Sequence, residues 1–265
     1  MDCKLWEQNI PYYTEDAETP NVLHTYLIDT DKPLPCVVVL AGGGYHYRAP
    51  HEAGPIAEFF NSRGLQAVTV DYRVAPNRFP AGLADAQRAV KLVRAHAAEW
   101  GIDPNRIVTC GFSAGGHLAA STILYDDLSL TGHTHDAVDR ESPLPNGAIL
   151  CYPVISVGRE FGHAGSGKQL LGEEKYEAEW ENFELYRKVS DRTPQVFLWH
   201  TSDDAVVPVR NSLRFCEALR DHGVRFELHI YPHGHHGLGL ARDGQHEDAA
   251  GWADLAADWV LRNIR

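Results

Sequence analysis

Ser113 lies in Gly111-Phe112-Ser113-Ala114-Gly115, a GxSxG segment directly after the apolar run Ile107 to Cys110 and before a helix-like stretch. Glycines at those two places let the backbone make a tight strand-to-helix turn that lifts the serine hydroxyl clear. A helix starting there aims free N–H groups, Ala114's first, and its positive dipole end at a developing oxyanion. Upstream, Gly42-Gly43-Gly44-Tyr45 follows the apolar run Val37 to Leu40. The N–H groups of Gly43 and Gly44 can donate to the same oxygen, completing an oxyanion hole. A phosphate cradle would need GxxxxGK[ST], and this chain lacks that pattern.

Serine is a weak nucleophile without a base, and the base needs a residue that holds its tautomer. Two later segments supply candidates in the chain order acid, then histidine. His200-Thr201-Ser202-Asp203-Asp204 follows the apolar run Val196 to Trp199, and Tyr231-Pro232-His233-Gly234-His235-His236-Gly237 follows Phe226 to Ile230. Asp203 and Asp204 are neighbours, so on an extended segment only one can face a given imidazole. His233, His235 and His236 compete for the role of base, and local chemistry does not separate them. These histidines, with His133 and His135, also invite a zinc reading. Their spacing fits neither HExxH nor a Cys/His finger, so hydrogen-bonded or solvated imidazoles are expected and no metal site.

Each candidate thus follows a short apolar run. Runs at Val37 to Leu40, Ala67 to Val70, Ile107 to Cys110, Ala148 to Cys151, Val196 to Trp199 and Phe226 to Ile230 suit strands covered on both faces. Helical patterns alternate with them over Glu52 to Arg63, Gly115 to Leu124, Val209 to His222 and Asp248 to Arg262. The clearest places Leu83, Ala86, Val90, Val93, Ala97 and Trp100 on one stripe, with Gly101 as the expected stop. Strand–helix alternation of this kind predicts an α/β, doubly wound, mostly parallel sheet. No repeat or linker divides residues 1–265, so a single domain is expected. Two stretches interrupt the rhythm: Asp126 to Asn146, polar and turn-rich, and 157–191, whose Phe161, Trp180 and Phe183 suggest a small cap.

Bulk properties narrow the partners. Hydrophobic residues make up 44% of the 265, enough for a sizeable core, and the net charge is −12. An acidic surface repels phosphate backbones and anionic lipid, so neither nucleic acid nor membrane is expected as a partner. The five cysteines show no CxxC spacing, and Cys36, Cys110 and Cys151 fall in strand-like runs as core thiols. The first residues lack a signal-peptide pattern, and no apolar run approaches the ~20 residues that span a bilayer. A cytoplasmic location is expected. Homo-oligomerisation is compatible with the sequence, which sets no subunit number.

The ordered set GGGY (42–45), DYRVAP (71–76), WGIDPNRI (100–107), GFSAGGHLAA (111–120), CYPVIS (151–156), WHTSDDAVVPV (199–209) and HGHHGLGL (233–240) resembles the compact esterase branch of the α/β-hydrolases. That branch includes acetyl esterases, feruloyl esterases and acetylxylan esterases. The resemblance implies Asp204 as the acid, four residues after His200 and in register with Val207 and Pro208, although Thr201 replaces the usual glycine. It implies His236 as the base, because the family histidine precedes a glycine, although His235 replaces a glycine. The familiar HGGG histidine is replaced by Ala41, which touches no triad role. By the same resemblance His117 is structural, Tyr45 and His163 contact substrate, and Ser166 lines the same pocket. The implied activity is two-step hydrolysis of short-chain, above all acetyl, esters on sugars or xylo-oligosaccharides, with no cofactor. An amidase or peptidase, or a non-catalytic ligand binder, would be the alternatives on the same fold.

Overall fold

The computed structural model describes residues 2–15, 17–125, 130, 132, 134, 136–242, 244 and 247–265. These carry strands β1 (Asp2–Lys4), β2 (Val22–Tyr26), β3 (Leu34–Leu40), β4 (Gln66–Asp71), β5 (Ile102–Phe112), β6 (Gly147–Cys151), β7 (Gln195–Thr201) and β8 (Phe226–Tyr231). Between and after them run helices α1 (Gly54–Ser62), α2 (Ala81–Ala95), α3 (Ala114–Leu124), α4 (Ala164–Leu171), α5 (Glu173–Glu179), α6 (Arg210–Asp221) and α7 (Trp252–Asn263). The strands form one sheet in the order β1-β2-β4-β3-β5-β6-β7-β8. From β4 to β8 all neighbours are parallel, while β2 runs antiparallel to β4 and β1 antiparallel to β2.

The unbroken apolarity of the strands follows from coverage on both faces. Along β3, Val38 and Leu40 belong to the core on one face of the sheet, which also holds Val90 of α2, Leu118 of α3 and Phe215 of α6. Val37 and Val39 belong to the core on the other face, which also holds Phe60 of α1 and Trp252 of α7. Alternating side chains therefore both find a core. Cys36, Cys110 and Cys151 are buried free thiols, as their apolar surroundings suggest.

All six expected strands and all five expected helical segments are present. The short antiparallel β1 and β2 were not anticipated; β2, with His24 and Thr25 amid its apolar residues, lacks an uninterrupted apolar run. The stripe that starts at Leu83 also leaves the helix earlier than expected. α2 closes at Ala95, and Ala97 and Trp100 stay buried in the turns beyond it. Gly101, at φ +63°, redirects the chain into β5, where its carbonyl accepts from Leu34 N–H at 2.9 Å.

The strands bearing the candidate residues end on one edge of the sheet, β3 lying between β4 and β5 where the strand order reverses. Sites on doubly wound sheets form at such a reversal. The excursion 157–191, between β6 and β7, contains α4, α5 and two 3-10 turns, Trp180–Phe183 and Leu185–Lys188. Its root is tied down by buried polar groups. Glu184 accepts from Ser156 Oγ (2.8 Å) and from the N–H groups of Val157 and Gly158. Asn211 of α6 accepts from Ile155 and Ser156 N–H and donates to the Phe161 carbonyl. In the other interruption, a 3-10 turn covers Ala137–Arg140, and His133 and His135 lie outside the described residues.

Candidate active site

The turn at the end of β5 is strained where the chemistry is expected. Ser113 has φ 53° and ψ −116°, an uncommon conformation for a residue with a side chain. Its backbone is held from both sides: Ser113 N–H donates to the Cys151 carbonyl (3.0 Å), and its carbonyl accepts from Val154 N–H (3.0 Å). Close approach explains the flanking glycines. A Cβ on Gly111 would lie 2.0 Å from the Gly115 carbonyl oxygen, and one on Gly115 would lie 2.2 Å from that of Leu40. No larger residue fits at either position without moving backbone.

His236, 123 residues later, reaches this hydroxyl. Its Nε2 is 2.7 Å from Ser113 Oγ, and its Nδ1 is 2.7 Å from Asp204 Oδ2. Asp204 Oδ1 accepts from the N–H groups of Val206 and Val207, both at 2.9 Å. His200, buried beneath it, approaches Oδ2 at 3.5 Å while bonding the Val207 carbonyl and Ser212 Oγ. Burial works against ionisation of Asp204, but hydrogen bonds to His200 and His236 and from Val207 N–H outweigh it. The carboxyl is held well below the usual aspartate range. A carboxylate on Nδ1 leaves the proton there and the lone pair of Nε2 facing the serine, the arrangement that takes up a hydroxyl proton.

The neighbouring candidates go elsewhere. Asp203 Oδ2 pairs with His233 Nδ1 at 3.0 Å, and Asp203 Oδ1 accepts from Gly234 N–H at 2.9 Å. Thr201 Oγ1 and Ser202 Oγ donate to the carbonyls of Gly234 and Pro232. This rank of bonds fastens the histidine loop onto the acid loop. His235 is exposed, with Nδ1 on the carbonyl of His236.

Among the described residues, no hydrogen bond is donated by the N–H of Gly43, Gly44 or Ala114. Gly43 and Gly44 adopt φ 126° and 65°. The Gly43 carbonyl accepts from His46 and Tyr47 N–H, which closes the loop. Ala114 opens α3, so its N–H has no partner within the helix.

Tyr45 requires a correction. Its side chain is 3% exposed, packs edge-on against Tyr72 and His117, and shares a 2.8 Å hydrogen bond with His117 Nδ1. The hydroxyl is occupied inside the core, so Tyr45 acts as a packing residue and not as a substrate contact. Burial lowers the His117 pKa to about 4, leaving that imidazole neutral. His163 lies at the N-terminus of α4, where its Nδ1 accepts from Ser166 N–H (3.1 Å) and meets Ser166 Oγ at 2.8 Å. Accepting at Nδ1 places the ring proton on Nε2. Burial, then the charge of nearby His236, lowers its pKa. Ser166 Oγ is 3.9 Å from where a Gly44 Cβ would stand, so His163 and Ser166 flank the glycine loop.

Two site-bordering residues were not among the expected site residues. Tyr152, in the CYPVIS segment, packs its ring edge-on against His236 at 5.0 Å. Glu52, expected to open a helix, lies instead in the 3-10 turn before it and is buried against the glycine loop. Among the described residues, no three His, Cys, Asp or Glu side chains gather as a metal site, and no helix is long and apolar enough to cross a membrane.

Comparison with known proteins gives the same frame. The BD-FAE family model matches residues 23–219. Endo-1,4-beta-xylanase B of Butyrivibrio fibrisolvens is 36% identical over 94% of this chain and 39% of its own length. The acetylxylan esterase of Xylanibacter ruminicola is 31% identical over 77% of this chain and 41% of its own length. The chain therefore spans about two-fifths of these curated relatives. The crystal structure of an acetyl ester-xyloside bifunctional hydrolase from Caldicellulosiruptor lactoaceticus superposes with a TM-score of 0.91 at 46% identity, covering 98% of this chain and 95% of that one. The strained serine turn, the parallel sheet and these likenesses converge: the chain belongs to the BD-FAE family, in the acetyl- and xylan-esterase-like branch of the α/β-hydrolase carboxylic ester hydrolases.

Proposed function

We propose that this chain hydrolyses short-chain, above all acetyl, esters of sugars or xylo-oligosaccharides by acyl transfer through Ser113. The observation that carries the reading is His236, 2.7 Å from Ser113 Oγ on one nitrogen and 2.7 Å from Asp204 on the other. Ser113 Oγ attacks the ester carbonyl as its proton passes to His236 Nε2. The oxyanion accepts from the N–H groups of Ala114 and of Gly43 or Gly44, and one such donor is worth about 3–4 kcal/mol in the transition state. The imidazolium, steadied by Asp204, returns its proton to the departing alcohol. Water then repeats the sequence and frees the acid. His163, its proton on Nε2, offers a donor to an acyl or sugar oxygen, and 157–191 serves as a small cap on one catalytic domain, 1–265. No cofactor enters any step. The acetyl-sugar preference is supported by the names of the relatives.

The test is a series of aryl acetate, butyrate and octanoate esters, run beside acetylated xylo-oligosaccharides and an acetanilide. Acetate should be fastest, the oligosaccharides should lose acetate, and the anilide should be inert. Reaction with aryl acetates alone removes the carbohydrate assignment. Intact activity in Ser113→Ala, or no covalent adduct of Ser113 with an organophosphonate, removes the mechanism.

A further inference from the structure

Glu52 is a carboxyl group outside the Ser113–His236–Asp204 set, bonded directly to the glycine loop and, through Tyr152, to the histidine loop. It lies in the 3-10 turn Pro50–Glu52 and is 2% exposed. Its Oε2 accepts from Gly42 N–H at 2.8 Å, immediately before the oxyanion glycines. A Cβ on Gly42 would stand 2.6 Å from that oxygen and 3.1 Å from Ser113 Cβ, so the carboxyl lies against the junction of the glycine loop with the serine turn. Its Oε1 accepts from the Tyr152 hydroxyl at 2.6 Å. The Tyr152 oxygen in turn accepts from Gly239 N–H at 2.9 Å, three residues past His236, whose ring Tyr152 also supports. From the same turn, His51 Nε2 bonds the carbonyl of Gly237 at 2.9 Å.

We infer that Glu52 is a positioning residue that holds the oxyanion loop and the histidine loop in register with each other. A buried carboxyl group is costly unless both oxygens are paired, and packing alone would favour an apolar side chain here. Here each oxygen meets a donor from a different loop, and directional bonds in a dry interior fix relative position more tightly than contact does. The reaction needs the Gly43 or Gly44 N–H and the His236 nitrogen correctly placed about one carbonyl carbon at the same moment. The connection runs from Gly42 through the Glu52 carboxylate to the Tyr152 hydroxyl and on to Gly239 of the histidine loop.

The inference rests on the esterase reading, and its test separates the two. Glu52→Gln keeps the shape but offers only one acceptor, so either Gly42 N–H or the Tyr152 hydroxyl loses its partner. Per titrated active site, kcat on p-nitrophenyl acetate should fall about 10- to 100-fold with KM within about twofold. The inhibition constant of an aryl trifluoromethyl ketone, whose adduct on Ser113 occupies the oxyanion hole, should rise in proportion. Glu52→Asp, retaining two acceptor oxygens, should recover part of the rate. If Glu52→Gln does not fold, Tyr152→Phe keeps the ring, breaks the link and should show the same split at a smaller size. An unchanged kcat per site, or a ketone affinity that does not follow kcat, overturns the inference while the esterase reading stands. An inactive parent enzyme would overturn that reading instead.

Discussion

Two aspartate–histidine pairs lie side by side at the carboxyl edge of the sheet, and they have opposite characters. Asp204 and His236 meet at 2.7 Å with side chains 0% and 14% exposed. Asp203 and His233 meet at 3.0 Å with side chains 50% and 78% exposed. The residue types are the same, and the aspartates are adjacent. In the inner pair the acid is dried, held by two backbone N–H groups and aimed through one imidazole at Ser113. In the outer pair, water competes for every bond, and the remaining contact of Asp203 is with Gly234 N–H. Burial and a third partner, Ser113, are what fit the inner pair for the proposed catalysis. Without these the outer pair is a loop fastener.

The widest separation between the pairs should come from the histidines. His236→Ala should lower kcat by about 10⁴- to 10⁶-fold, since base and serine act as a unit. His233→Ala should stay within about threefold, as expected of a solvated side chain. Steady-state kinetics on p-nitrophenyl acetate checks both, and equal losses would erase the distinction. The acids come next. Asp204→Asn should cost about 10³- to 10⁴-fold in kcat by presenting the wrong partner to Nδ1. Asp203→Asn, which loosens Gly234 without touching the triad, should cost about two- to tenfold.

The smallest effect is on stability against pH. The carboxyl of Asp204 is held below its unfolded value, near 3.9 for an ordinary aspartate. Its contribution is therefore present above that value and lost as pH falls through the lower folded one. Denaturant unfolding should show the stability gap between wild type and Asp204→Asn narrowing from about pH 4 downward. The Asp203→Asn gap should be smaller throughout, because solvent screens that pair.

Much of this is legible in the sequence. β-branched runs read as strands because both of their faces are covered, and Gly111 and Gly115 announced the serine turn because no other residue survives backbone approaches near 2 Å. Tyr45 misled because its place beside the glycines says nothing about where its ring turns. Glu52 opened an expected helix and Tyr152 sat in a family-like segment, but neither setting points to a site role, because their partners lie 10, 87 and 100 residues away.

Residue types and chain order thus determined the kind of sheet, the strained serine turn and the edge on which the candidate residues gather, because each depends on local backbone rules. Which aspartate serves which histidine was left to folding. Asp203 and Asp204 are chemically identical, and their difference arises when β7 and β8 lie parallel and their loops close together. One carboxyl group then turns inward to a dry imidazole while its neighbour remains in water.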